Sequence, residues 1–332
     1  MPSSSALSFS DPLDYQSAIR AADVSVYPTA KGAFHAELVQ INLHRLWMQR
    51  FEQKLPQIYQ SKVKPGRTVI GFLTADQLEL QYCGATVSPH EIVICGQEVM
   101  HQRSSGDCQF GAMSLARDDF VAACKVIAGH EIMEMPNSRV IRPSNEPMSR
   151  LVRLHGLVGN LARGAADTLA LPEVAWALEQ HLIHLMVRCL IDSTQSEAPK
   201  AFGSHKKIVT RFETYLEANP LRPLYLTEIC AAISVSERTL RVVCEEHLGM
   251  GPIRYLTLRR MHLVRHALLR AECSSTSVTR VVTGHGFWEM GHFSVAYRAL
   301  FGEMPSVTLR RPPPDLPMIS TRPSSLATDE LG

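Results

Sequence analysis

Arg238 and Arg241 stand three residues apart in the stretch Ser236-Glu237-Arg238-Thr239-Leu240-Arg241-Val242. On a helix that spacing puts both guanidinium groups on one face. Each can donate two parallel hydrogen bonds to guanine O6 and N7, or to phosphate oxygens, which is chemistry suited to nucleic acid. Ser236 occupies an N-cap position, where unpaired N–H groups and the helix dipole favour a phosphate. The outward face is then Glu237, Arg238, Arg241 and Val242. Glu237 either accepts from cytosine N4 or pairs with Arg241 one turn on. A second face follows at Met290, Gly291, His292, Ser294 and Val295, with Arg298 a turn further. It is poor in bidentate donors: His292 and Ser294 make single bonds, Met290 and Val295 meet a thymine methyl, and Arg298 takes a phosphate. The first face is expected to carry sequence readout and the second to position it.

Both faces sit in a duplicated unit. LTEICAAISVSERTLRVVCEEHLGMGP (226–252) aligns with VTRVVTGHGFWEMGHFSVAYRALFGEMP (278–305), pairing Ile229 with Val281, Val235 with Phe287 and Leu240 with Phe293. Cys244 pairs with Tyr297, Gly249 with Gly302 and Pro252 with Pro305. The offset grows by one residue across the turn, so the second copy has one extra turn residue. Each copy reads as a short helix (227–233, 277–283), a tight turn and a longer helix (237–248, 290–301), that is, a helix-turn-helix twice over. Phe293, Tyr297 and Phe301 recur at i, i+4, i+8 on one buried face, Gly284 and Gly286 suit the turn, and Gly302 with Pro305 ends the helix. Between the copies, Ile253, Leu256, Met261, Val264 and Leu268 form one apolar side of a continuous helix. Its length, roughly 28 Å at ~1.5 Å per residue, approaches the ~34 Å between major-groove faces one DNA turn apart. Arg259, Arg260 and Arg265 on that helix either pair with glutamates or contact the DNA backbone.

Residues ~206–311 resemble the DNA-binding domain of the AraC/XylS family of transcriptional regulators, through the GHGF…F…YR..FG..P pattern of the second unit and the L..R..H....AL run of the connecting helix. The resemblance implies two homeodomain-like helix-turn-helix units laid into successive major-groove segments. It implies an N-terminal half that senses or dimerises, with promoter DNA, a small-molecule effector, RNA polymerase and a second copy of the chain as partners. No cofactor is implied. Val243 and Cys244 depart from the family, which usually anchors the first unit with a bulky aromatic at the position of Cys244.

Charge supports the division. Residues 205–311 carry 15 Lys/Arg, 13 of them Arg, against 9 Asp/Glu, whereas residues 1–204 carry 18 against 20 and residues 312–332 carry 1 against 3. The basic segment is thus one part of a chain whose net charge is only +2. At 332 residues with 45% hydrophobic and 20% charged side chains, two soluble domains are expected. The N-terminus lacks the pattern of a signal peptide and no run reaches ~18 apolar residues, so a cytoplasmic protein without membrane contact is expected. The 8 cysteines form no C-x-x-C and read as buried, reduced thiols.

The fold class is read as α+β. Period-two alternation over about 20–115, as in Val39, Ile41, Leu43 against Gln40, Asn42, His44, or Leu78, Leu80, Tyr82 against Gln77, Glu79, Gln81, predicts half-buried strands of an antiparallel sandwich or barrel. This region resembles cupin-like sensing domains, a fold-level analogy. Helical spacing over about 118–192 (Leu151, Leu154, Val158, Leu161; Leu178, Leu182, Leu185, Cys189) predicts apolar stripes that pack on the chain's own sheet or on a second copy. Residues 1–192 then form the sensing or dimerisation domain, 193–205 a polar linker, 206–311 the DNA-binding domain and 312–332 a disordered tail. Trp47, Phe51, Tyr59, Phe72, Tyr82 and Phe110 either fill the core or line a pocket. An enzyme is not expected: His35, His44, His90 and His101 are isolated, and His181/His184 and His262/His266 have no third ligand, so no metal site is read. No phosphate loop or G-x-S-x-G occurs. The alternative is a DNA-repair methyltransferase fused to the same reader, which would require an activated thiol at Cys83, Cys95 or Cys108.

Overall fold

The computed structural model describes residues 2–75, 80–129, 138–195, 202–220, 222 and 224–311. Residues 77–79 of the strand read through Leu78, the middle of the linker and all of the tail read at 312–332 lie outside the described residues. The N-terminal half runs β1 (Ser3–Phe9), α1 (Pro12–Ala18), β2 (Ala22–Pro28), β3 (Ala36–Asn42), β4 (Trp47–Gln53), β5 (Gln57–Val63), β6 (Arg67–Leu73), β7 (Leu80–Tyr82) and β8 (Ala85–Val87). It continues with β9 (Ile92–Cys95), β10 (Met100–Ser104), β11 (Cys108–Ala116), α2 (Arg117–Ala128), β12 (Arg139–Arg142), α3 (Asn145–Gly164), α4 (Ala166–Ala170), α5 (Pro172–Ile191) and β13 (Thr194–Gln195). The C-terminal half is helical: α6 (Phe202–Ala218), α7 (Leu226–Ala232), α8 (Glu237–Leu248), α9 (Pro252–Arg270), α10 (Val278–Gly284), α11 (Met290–Phe301) and α12 (Pro305–Leu309).

Two antiparallel sheets stack as a sandwich, one ordered β1-β3-β4-β11-β6-β9-β12-β13 and the other β2-β5-β10-β7-β8. Alternation along the larger sheet sends Ile41, Met48, Phe72 and Met113 outward, where they bury with Leu151, Val158, Leu182, Leu185 and Cys189 of α3 and α5. Each such fully buried aliphatic contributes about 1.5–3 kcal/mol. The helical stripes are therefore packed on the chain's own sheet, which decides between the two readings left open for them. Because both faces of this sheet are covered, Gln40 is as buried as Val39 and Ile41, and the reading of β3 as half-exposed is corrected.

Three further boundaries differ. β1 lies ahead of the predicted strand region because its Ser-rich sequence is that of an edge strand, here paired with β3. β12 interrupts the segment read as helical by pairing with β9. The first turn of α6 occupies residues 202–205, the end of the stretch read as a linker.

The outer face of the smaller sheet is covered by the C-terminal half. Tyr27 of β2 and Ile58 of β5 share one core with Phe212 of α6, Leu240 and Cys244 of α8, and Tyr255 of α9. α9 serves two cores in succession, Tyr255, Leu256 and Leu258 in the first and Met261, Val264 and Leu268 in the second. Its buried face therefore shifts along its length. Ile253, read as part of the apolar side, is 49% exposed, and Tyr255 is the buried residue of that turn.

Candidate nucleic-acid interface

The two helix-turn-helix units are built alike. Before α8 the turn closes with Val235 N–H donating to Cys230 C=O at 3.1 Å, and before α11 with Phe287 N–H donating to Val282 C=O at 3.2 Å. Both turns need a left-handed residue at the same repeat position, Ser234 at φ 55° and Gly286 at φ 78°. Ser236 caps α8, its Oγ accepting from Thr239 N–H at 3.1 Å. α8 and α11 both end at left-handed glycines, Gly249 and Gly302. The second core holds Phe293 and Tyr297, with Phe287, Phe293, Tyr297 and Phe301 in successive ring contact at 4.9, 5.5 and 4.5 Å. Tyr297 Oη donates to Thr308 Oγ1 at 2.9 Å, a bond that Cys244 at the equivalent place cannot make. The first unit closes over its smaller plug with Cys244 fully buried.

What these cores leave outside is the predicted reading surface. Glu237, Arg238, Arg241 and Val242 are exposed on α8, as are Gly291, His292, Val295 and Arg298 on α11, while Met290 and Ser294 are half-buried. Arg241 bonds Glu237 through Nε at 3.1 Å, so the intrahelical alternative for Glu237 is the one realised in the free protein. Arg238 makes no ion pair among the described residues and presents its full fork to solvent. His292 Nδ1 lies 2.7 Å from Glu289 Oε2, both far into solvent. Trp288, 72% exposed in the turn before α11, was not singled out by sequence, although a tryptophan beside a Gly-rich turn was the available signal.

Two of the three α9 arginines turn inward. Arg259 Nη1 bonds the buried Glu213 of α6 and lies 5.9 Å from the Tyr27 ring. Arg265 bonds Glu303 at 3.0 Å and approaches Asp11 of the N-terminal half at 3.5 Å. The glutamate-pairing alternative thus holds for both, and neither cation faces outward. Arg260 pairs with no carboxylate among the described residues and stacks over Phe287 at 5.5 Å.

Residues 229–311 match the family described as a helix-turn-helix domain. Similar curated proteins include the XylDLEGF operon transcriptional activator 1 of Pseudomonas putida, 25% identical over 68% of this chain and 66% of that protein. Another is the probable thc operon regulatory protein of Rhodococcus erythropolis, 32% identical over 46% of this chain and 48% of that protein. The C-terminal region is an AraC-type helix-turn-helix domain. Over this domain the chain is similar to curated regulators of transcription. The matches span about two-thirds and about half of these two relatives' lengths. A solved AraC-like transcriptional activator, CuxR, aligns over 79% of this chain and 95% of its own at 15% identity and a TM-score of 0.37.

Beneath the AraC-type domain the sandwich interior holds a partly open cavity. Of the six aromatics named from sequence, Trp47, Phe51, Tyr59, Tyr82 and Phe110 line it, whereas Phe72 is fully buried in the core beneath the helices. β10 alternates across this wall. Met100 and Gln102 face the cavity, and His101 between them reaches the AraC-type domain, with Nε2 3.0 Å from Glu213 Oε1. β5 does the same: Tyr59 and Ser61 face the cavity while Gln60 Nε2 donates to Glu217 of α6 at 2.8 Å. Burial would raise the Glu213 carboxyl, but the Arg259 charge and the His101 bond outweigh it and hold it below the usual carboxylate range. His101, read as isolated, is therefore part of a buried inter-domain cluster that only tertiary structure assembles.

The remaining candidates behave as structural groups. Burial pushes the Cys83 thiol up to about 11 and the Cys95 and Cys108 thiols to about 12, the reverse of an activated nucleophile. His262 is wedged between the Tyr27 and Phe301 rings with Nε2 3.2 Å from Pro28 C=O. His181 and His184 are exposed. Among the described residues no three His, Cys, Asp or Glu side chains converge as metal ligands.

Proposed function

We propose that this chain regulates transcription by reading promoter DNA with α8 and α11, and that a small molecule in the sandwich cavity biases how the two readers engage. The observation that carries the effector half is the alternation of β10. A molecule touching Met100 and Gln102 pushes on the strand whose next residue, His101, holds the AraC-type domain through Glu213. The DNA half rests on the duplicated unit and on Arg238, an exposed guanidinium with no ion pair among the described residues, beside a capped helix N-terminus. Arg298 and Arg260 supply backbone contacts, and the first unit dominates base preference.

The test is selection from a random DNA library with full-length protein, wild type against Arg238→Ala. An enriched motif whose G-containing position relaxes in the variant, at a cost of about 1–3 kcal/mol, supports the assignment. An unchanged motif in the variant would sink Arg238 as a base reader.

A further inference from the structure

The cavity has a chemical character that narrows its ligand. Among the described residues its lining contains no Asp, Glu, Lys, Arg or His side chain. Its walls are the aromatic and aliphatic faces of Trp47, Phe51, Tyr59, Phe110 and their neighbours, relieved by a few uncharged polar groups. Among the described residues several of those groups make no side-chain hydrogen bond, Gln49, Gln102, Tyr59 and Ser61 being four of them. Gln49, 6% exposed, and Gln102, half-buried, line the space from β4 and β10. By contrast the Gln53 amide donates to Tyr15 Oη, and Ser114 Oγ accepts from Arg67 Nε at 2.7 Å. An amide lining such a space is available to a ligand, and a site built to hydrogen-bond a polar group discriminates strongly against ligands that lack it.

A cation beside the wall is Arg67. It lies outside the lining, stacked on the Trp47 ring at 3.6 Å, with Nε and Nη2 committed to Ser114 Oγ and Ser114 C=O. A carboxylate in the cavity would lose its hydration and find the Arg67 fork already committed to Ser114. The cavity thiols of Cys95 and Cys108 are protonated, so covalent capture of an electrophile is not the chemistry either.

Building on the reading of the cavity as the effector site, we infer that its ligand is a neutral, mainly apolar or aromatic molecule carrying an amide-like group that both donates and accepts, held by Gln49 and Gln102. Organic acids of the same shape are excluded.

Calorimetric titration of the full-length protein with 2-naphthamide, 2-naphthoate and naphthalene tests this, with fluorescence as a second readout. Trp47 is the tryptophan in the cavity, while Trp176 and Trp288 are 60% and 72% exposed. The expected order is naphthamide tightest, naphthalene weaker, and naphthoate at least about 100-fold weaker than naphthamide. Gln49→Leu should weaken naphthamide roughly tenfold and leave naphthalene unchanged or tighter. If that variant does not fold, Gln102→Leu takes its place, and the wild-type amide-to-acid ratio stands by itself. Naphthoate binding as tightly as naphthamide would overturn the ligand class while leaving the effector cavity in place. Binding of none of the three would overturn both.

Discussion

Glu213→Gln is the most informative single change outside the reading helices. Glu213 is 0% exposed, with one carboxylate oxygen 3.0 Å from His101 Nε2 and the other bonded to Arg259, whose side chain is 14% exposed. Glutamine preserves the shape but presents an NH₂ to one of two N–H donors and leaves the Arg259 cation buried without its counter-charge. Removing one half of a buried ion pair costs about 3–5 kcal/mol. Glu213 and Arg259 lie on α6 and α9, both in the helical C-terminal half, so the loss falls on that half's own fold. For a domain of about 100 residues each kcal/mol moves Tm by about 4–8 °C, so a fall of more than about 10 °C is expected.

Differential scanning calorimetry of the full-length chain reads this directly. His101→Ala provides the contrast: it removes the arm from β10 but leaves Glu213 and Arg259 paired. That change should cost about 1–3 kcal/mol, expressed as faster amide exchange along β10 and α6 rather than as melting of the helices. Replacing both charges with Glu213→Leu/Arg259→Met should recover most of the stability lost in Glu213→Gln. A Glu213→Gln shift below about 3 °C, or a double variant as unstable as the single one, would refute the claim that charge compensation holds this junction.

Arg259→Ala and Arg265→Ala should lower stability and leave the salt dependence of DNA binding unchanged, whereas Arg298→Ala should flatten the log–log salt slope by about one unit, measured by fluorescence anisotropy across a salt series. Ser234→Gly should stabilise the first unit by up to about 1 kcal/mol, because a left-handed φ of 55° is easier for glycine, and Gly286→Ala should destabilise the second by at least as much, both read from denaturant midpoints. Burial lowers the His262 imidazole to about 4 from its ordinary 6.5. The unfolded chain therefore binds its proton first, so stability is full above about 6.5 and falls as pH drops towards about 4. His262→Gln should flatten the pH–Tm profile over that window.

The C-terminal third was legible because its signals are local. Helix ends at 237–248 and 290–301 follow from the Ser236 cap and the Gly249 and Gly302 stops, and the observed α8 and α11 have those limits. The exposed face of α8 followed from the same periodicity. The sandwich was legible as a class but not in register, because its larger sheet is covered on both sides and the alternation of Val39, Gln40 and Ile41 no longer marks inside from outside. Gln49 and Gln102 went unread for the same reason, since a glutamine in an alternating strand reads as its solvent face. The partners of Arg259 and His101 were beyond sequence reasoning altogether. Glu213 lies 46 residues from the first and 112 from the second, and no spacing rule connects them.

The geometry of β10 also sets how much a cavity ligand can do. The His101–Glu213 bond is 3.0 Å long and ceases to be a useful hydrogen bond beyond about 3.5 Å, so a strand displacement of roughly half an ångström is enough to switch it. A strand conveys such a displacement because consecutive side chains alternate on a stiff pleat, and Met100 and Gln102 flank His101 directly. Losing that bond, together with the Gln60–Glu217 bond on the neighbouring β5, changes docking by about 2–5 kcal/mol. Allosteric couplings are typically about 1–3 kcal/mol, and complete reversal of a 1:99 equilibrium needs about 5.5 kcal/mol. On the proposed effector reading, a ligand acting through these two strands would redistribute docked and released C-terminal domains by about thirtyfold to a few thousandfold, which is the range of a graded switch. On that reading the ligand must fit the cavity differently in the two states, and a strand that both lines the cavity and holds the reader is what would supply the difference.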